Sequence, residues 1–199
     1  KMKSLNFKEY LTSNININLT QLESCLSYQQ IKYFKKGDFL IKEGDICQYS
    51  YFVQEGILRV FYIDDKGKEH LLQFAPEGWF AADHESTYFK KASNYYIQAL
   101  EDTTVYQLKD DFFEQLSLKN PVFTQFNEKL LHNHIHHLQK RIIQLIAKTA
   151  EERYVEFTKT YPDILMRVPQ TMVASYLGIT PESLSRIRKE IIQKPKSIK

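Results

Sequence analysis

Four glycines, Gly44, Gly56, Gly67 and Gly78, stand 12, 11 and 11 residues apart. Around them run short segments rich in aromatic and β-branched residues: F-K-K-G-D-F-L-I-K-E-G-D, then Y-F-V-Q-E-G-I-L-R-V-F-Y-I-D-D-K-G-K-E, then H-L-L-Q-F-A-P-E-G-W-F. A turn signal roughly every dozen residues leaves room for strands and little else, so Ile31 to Leu108 reads as an antiparallel β-roll or barrel. D-D-K-G-K is the hairpin tip between R-V-F-Y-I and H-L-L-Q-F. A polar stretch from Glu85 to Asn94 precedes a last strand pair, around Tyr95–Leu100 and Thr104–Leu108.

The period then changes. Asp110 or Asp111 is placed to cap a short helix, Asn120-Pro121 restarts the chain, and a long helix is expected towards Thr149. Within it Leu131, Ile135, Leu138, Ile142 and Leu145 recur in alternating steps of four and three, the seam of a coiled coil, which points to a homodimer. The same stripe also suits a helix packed on its own roll, and both hold when different faces are used. A further helix is expected from about Ala150 to Thr160, ending before Tyr161-Pro162.

Next come two helices at the spacing of a helix-turn-helix. Ala174 is small where a second helix would cross the first, Gly178 suits a turn of positive φ, and Val173, Leu177, Ile179, Leu184 and Ile187 are apolar where the helices meet. The second helix starts at T-P-E: Thr180 caps, Pro181 takes the first position, and Glu182 suits the positive helix end. Leu184, Ile187 and Ile191 point one way, and Glu182, Ser185, Arg186 and Lys189 the other. Many surface helices carry such a polar stripe; the preceding unit makes this one a recognition helix. The expected organisation is a sensor roll over residues 1–120, a dimerisation helix over 121–149 and a DNA-binding domain over 150–199.

Charge supports that division. Residues 1–137 hold 15 Lys and Arg against 18 Asp and Glu, a net −3, whereas residues 138–199 hold 12 against 6, a net +6. A basic segment suits contact with phosphates. No apolar run of about 18 residues and no signal-peptide pattern is visible, so the expected location is the cytoplasm, with no membrane. Cys25 and Cys47 lack CxxC spacing and read as ordinary thiols of a reducing compartment.

A β-roll, a long helix with a dimer seam and a C-terminal helix-turn-helix, in that order, resemble the Crp/Fnr family of bacterial transcription regulators over nearly the whole chain. The wording R-V-P-Q-x-x-V-A-S-Y-L-G-I-T-P-E-S-L-S-R-I-R-K, from Arg167 to Lys189, is similar to a Bacteroidetes-type branch. The resemblance implies an α+β fold with a cyclic-nucleotide-binding-like roll and a winged-helix-like DNA-binding domain. Its β-wing is expected to be reduced or absent, since the chain runs out at K-P-K-S-I-K. It places Glu182, Ser185 and Arg186 at the E-x-x-S-R positions that read a TTGAT-like half-site. Arg suits guanine O6 and N7, Glu suits cytosine N4, and Ser adapts to base or phosphate. Thr171, Thr180, Arg188 and Lys189 are placed as phosphate contacts. The implied partners are double-stranded DNA, a second copy of the chain, RNA polymerase and a small-molecule effector that shifts a two-state dimer.

The effector itself is not implied. Family members that bind cyclic AMP use a G-E pair and a later R-S/T pair; here Ala82-Asp83 and Ser93-Asn94 stand at those positions, and the phosphate-gripping Arg is missing. Cyclic AMP is therefore not expected. An iron–sulfur cluster of the Fnr kind needs four cysteines, against two here. H-N-H-I-H-H puts His132 and His136 four apart on the long helix, a spacing able to hold a metal or one haem ligand, with His70 and His84 as possible additions; the plainer reading, a polar helix face, is adopted and no metal site is assigned. A pocket between roll and long helix is expected to involve Trp79, Asp83, His84, Asn94 and Tyr96. No H-x-H strand, phosphate loop or nucleophile elbow is present, so the chain is not expected to be an enzyme. The alternative function is a ligand-binding or protein-interaction roll without specific DNA binding.

Overall fold

The computed structural model describes residues 6–17, 22 and 29–193. Cys25 and the C-terminal K-P-K-S-I-K, on which the expectations about thiols and the missing wing rest, lie outside them. The chain divides into two compact units, separated in sequence at His134/Ile135.

Among the described residues of the first unit, eight strands form two antiparallel sheets. They are β1 (Gln29–Phe34), β2 (Phe39–Ile41), β3 (Tyr49–Glu55), β4 (Leu58–Ile63), β5 (Glu69–Ala75), β6 (Phe80–Ala81), β7 (Tyr96–Ala99) and β8 (Thr103–Lys109). One sheet has the order β1-β8-β3-β6 and the other β2-β7-β4-β5. Side-chain alternation divides each strand between two environments. Tyr51 and Val53 of β3 join Leu58, Val60, Ile97 and Val105 in the interior of the roll. Phe52, between the first two, faces outward into a second core, with Tyr106 and Leu108.

That second core explains the helices of this unit. α1 (Phe7–Asn14) is capped by Asn6, whose side chain accepts from the Glu9 N–H at 2.8 Å, and it buries Phe7 and Leu11. α3 (Phe112–Lys119) contributes Phe112 and Leu116, and the start of α4 (Val122–Ala147) contributes Phe123 and Phe126. Burying each such side chain is worth about 1.5–3 kcal/mol. Asp111 does occupy the N-cap position of α3, but its side chain makes no capping bond. The stretch from Glu85 to Asn94, read as merely polar, holds a short helix, α2 (His84–Phe89).

The hairpin tip forms as expected: Asp64 Oδ1 accepts from the N–H groups of Lys66 and Lys68 at 2.9 and 3.0 Å, and Gly67 donates to the Asp64 carbonyl. Gly56 joins β3 to β4 at φ +95°, where a Cβ would lie 2.4 Å from Thr103 Oγ1 and 2.8 Å from the Asp102 carbonyl. Both backbone angle and space demand glycine there.

The second unit holds the end of α4, then α5 (Ala150–Thr160), α6 (Ile164–Arg167), α7 (Gln170–Leu177) and α8 (Pro181–Gln193). A capping box starts α5: Thr149 Oγ1 accepts from the Glu152 N–H at 3.2 Å, and the Glu152 carboxylate accepts from the Thr149 N–H at 2.8 Å. Phe157, Tyr161 and Tyr176 pack ring to ring, with centroids 5.2–5.7 Å apart.

Candidate nucleic-acid interface and sensor site

The turn between α7 and α8 is built from Gly178. At φ +66° it is left-handed, so its N–H reaches the Ser175 carbonyl at 3.1 Å and the Ile179 N–H reaches the Ala174 carbonyl at 3.0 Å. This is the Schellman arrangement that lets a helix stop sharply. Thr180 then caps α8, its Oγ1 accepting from the Ser183 N–H at 3.2 Å. Val173, Ala174, Leu177, Leu184 and Ile187 are buried between the helices, and Ile179 is half-buried.

With Leu184 and Ile187 anchored, the opposite face of α8 must point outward. Glu182, Ser185, Arg186 and Lys189 are exposed, and with Pro181 they line one shallow, open depression. The three expected base readers and one of the four expected phosphate contacts are thus brought together. Thr171 and Thr180 are also exposed, while Arg188 is half-buried. The Glu182 carboxyl is held below its usual range by its own N–H and by the Thr180 hydroxyl, so it stands ready as an acceptor.

Along α4 the expected seam residues Leu131, Ile135, Leu138, Ile142 and Leu145 are between 44% and 54% exposed. A line of half-exposed large apolar side chains on one helix is an uncovered apolar surface among the described residues. Leu145 also faces its own unit: a Cβ at Gly178 would meet its Cδ2 at 3.3 Å.

The expected effector pocket is not assembled. Asp83, only 3% exposed, spends its carboxylate inside the chain: Oδ1 accepts from the Ser86 N–H at 3.0 Å and Oδ2 from the Ser93 hydroxyl at 2.7 Å. Ser86 Oγ in turn accepts from the Cys47 N–H at 2.9 Å, and Ser93 Oγ accepts from the Tyr95 N–H at 3.0 Å. Trp79 packs against the roll interior. Tyr96 lies on the other face of its sheet, because its neighbours Tyr95 and Ile97 take the interior; its ring stacks on Phe61 at 5.1 Å and its hydroxyl donates to Glu43 at 2.9 Å. Asn94 is exposed. His84, although its surface is exposed, sets its ring 4.7 Å from that of His134, and desolvation lowers its pKa. Alternation along β7 turns Tyr96 away from the interior against which Trp79 packs, so the two do not face one pocket.

The Asp83–Ser93 hydrogen bond also joins the two pairs aligned with the cyclic-phosphate positions. The two lysines that follow α2 are engaged elsewhere: the Lys90 ammonium pairs with Asp110, and Lys91 lies over the Phe89 ring at 5.7 Å. The residues present do not fit a cyclic phosphate, which would meet the Asp83 carboxylate with nothing to offset either charge. Among the described residues no three His, Cys, Asp or Glu side chains are grouped to hold a metal ion, and no helix is long and apolar enough to cross a membrane.

Sequence reasoning missed Arg141, on the end of α4. Its Nη2 donates to the Tyr176 carbonyl and its guanidinium lies over the Tyr176 ring at 3.8 Å. Desolvation lowers its pKa, and its Nη1 is buried with no hydrogen-bond partner. A basic residue within a heptad pattern gives no local sign of burial.

Residues 31–120 match the cyclic nucleotide-binding domain family. The fumarate and nitrate reduction regulatory protein of Vibrio cholerae is 28% identical over 180 residues, covering 85% of this chain and 70% of that protein. The anaerobic regulatory protein of Pasteurella multocida is 26% identical over 180 residues, covering 85% of this chain and 64% of that protein, so the chain spans about two thirds of the length of these relatives. Among solved structures, FixK2 from Bradyrhizobium japonicum superposes with a TM-score of 0.72 at 18% identity, covering 83% of this chain and 85% of that one. With a nucleotide-binding-type roll leading through a long helix into a helix-turn-helix, and with regulators of this kind as its relatives, the chain is similar to the Crp/Fnr family.

Proposed function

We propose that this protein is a DNA-binding transcriptional regulator, acting as a homodimer through the α4 seam and reading a pseudo-palindromic operator of TTGAT-like half-sites. The observation that carries this reading is the reader face of α8, where Glu182, Ser185, Arg186 and Lys189 stand exposed and adjacent over a buried Leu184–Ile187 anchor. In this reading α8 enters the major groove, Arg186 forks onto a guanine and Glu182 accepts from a cytosine. Thr171, Thr180, Arg188 and Lys189 hold phosphates and set register. Two such helices in a dimer address half-sites one helical turn apart, roughly 34–36 Å.

The effector is not cyclic AMP, a reading supported by the closed Asp83–Ser93 pair. The protein is not an enzyme, in line with its relatives, works in the cytoplasm, and engages RNA polymerase from the operator. A domain plan of a sensor over residues 1–120, a dimerisation helix over 121–149 and a DNA-binding domain over 150–199 suits this division of labour.

Binding of the purified protein to a TTGAT palindrome and to scrambled DNA, at two salt concentrations, tests the assignment. The palindrome is expected to win, and Arg186→Ala to lose about tenfold to a hundredfold of that preference, the worth of one bidentate contact at about 1–3 kcal/mol. Equal, strongly salt-dependent binding to both DNAs would leave only phosphate attraction and sink the reading.

A further inference from the structure

Arg141 is half-buried and its Nη1 wholly covered, at a cost that its contacts do not offset. Among the described residues it has no carboxylate partner, its Nη1 makes no hydrogen bond, and the like charge of Arg153 acts against it. A guanidinium placed for stability alone would be expected to fork onto an acid, as one in the roll does. What Arg141 does contact is specific. The Schellman turn takes the Ala174 and Ser175 carbonyls of α7, which leaves the Tyr176 carbonyl pointing out of the helix end. Arg141 donates to that carbonyl and lays its flat face on the ring of the same residue. One side chain thereby reads both the backbone and the side chain of Tyr176, which fixes distance and rotation together.

Two neighbours align with this contact. Leu145, one turn further along α4, sits against Gly178 at the turn into α8, and Lys140 pairs with Glu156 of α5 at 2.5 Å. All these residues fall in the second compact unit, so the end of the long helix is part of the same body as the helix-turn-helix.

We infer that Arg141 is a positioning residue for operator reading: it locks α7, and with it the recognition helix, at one orientation on the end of α4, and so sets the separation at which a dimer presents its two reader faces. This rests on the dimeric DNA-reading function proposed above. Arg141 touches no base. Its role is to make the distance between half-sites, rather than their bases, matter to the protein.

The test is a series of TTGAT palindromes whose centre is lengthened or shortened one base pair at a time, bound by the wild type, Arg141→Lys and Arg141→Leu, each checked for folding and dimerisation. Lys keeps the charge but can neither stack nor fork. Wild type is expected to favour one centre length by at least about tenfold, and the variants to bind all lengths within about threefold of one another while still preferring TTGAT to a base-substituted half-site. Variants that keep the wild-type length preference overturn the inference, as does loss of the folded dimer in both, which would make Arg141 a residue of the fold. A wild type that reads TTGAT but ignores centre length overturns this inference alone. A wild type indifferent to TTGAT overturns the proposed function and this inference together.

Discussion

Two arginines divide the molecule more sharply than its sheets and helices do. Arg59, in the roll, is 6% exposed and fully matched: its guanidinium forks onto Glu69 at 2.5 and 3.2 Å, its Nε donates to Gln98 at 2.9 Å, and it lies 3.9 Å over the Phe61 ring. Arg141, in the second unit, has a carbonyl, a ring and a nitrogen left over. The roll closes its polar groups on one another, Asp83 with Ser86 and Ser93 as well as Arg59 with Glu69. The second unit leaves polar groups facing outward on α8 and incompletely matched behind it. The match in the roll is close but not complete, since Gln54 Oε1 is buried there without a partner, whereas the second unit carries its excess of polar groups on an exposed helix face.

If the roll is the rigid partner in this comparison, its tight turn should tolerate least. Gly56→Ala puts a Cβ into Thr103 and the Asp102 backbone at a left-handed φ, and a loss on the order of 3 kcal/mol or more is expected in urea unfolding. Asp83→Ala comes next. It strands the buried Ser86 N–H and the Ser93 hydroxyl, with an expected cost of about 1–3 kcal/mol, and it should create no affinity for cyclic AMP in calorimetry. Appearance of cyclic AMP binding in that variant would show that the carboxylate alone was blocking a competent site.

Gly178→Ala should sharpen the contrast from the other side. Its neighbour is the flexible end of Leu145 at 3.3 Å, so the expected loss is about 1 kcal/mol, mostly from the left-handed backbone. A cost equal to that of Gly56→Ala would erase the difference between the units. The smallest effect is on pH dependence. His84 and His137 have pKa values lowered by desolvation, so the unfolded chain binds protons more readily than the folded one. Their contribution to stability is present above the ordinary value of 6.5 and is lost as pH falls from there through the folded pKa. His84→Gln should therefore show a smaller drop in melting temperature between pH 7.5 and 5.5 than the wild type.

Much of the fold was legible because it is encoded locally. The D-D-K-G-K tip, the glycine at the α7–α8 turn and the helix from Ala150 to Thr160 depend on residues a few positions apart. The exposed polar face of α8 was legible for the same reason, since one helical period places Glu182, Ser185 and Arg186 together. What escaped depends on distant partners. α1 is a short segment whose apolar residues find Phe52 and Tyr106 only in the folded sheet. Asp83 is spent on Ser93, ten residues on, and Arg141 on Tyr176, thirty-five residues on. The capping box of Thr149 and Glu152, which the sequence reading passed over, explains why the long helix and the next are two helices instead of one.

The Cys47 thiol, 3% exposed, sits in the same network, with its N–H held by Ser86 and its pKa pushed up first of all by burial. A thiol that is both covered and protonated reacts with an alkylating reagent only when the roll loosens around it. The rate at which Cys47 takes up label, followed on its own peptide by mass, is therefore a clock for the opening of the roll. A small molecule that binds and tightens the roll will slow that clock, so an effector can be sought by a change in labelling rate before anything is known of its chemistry.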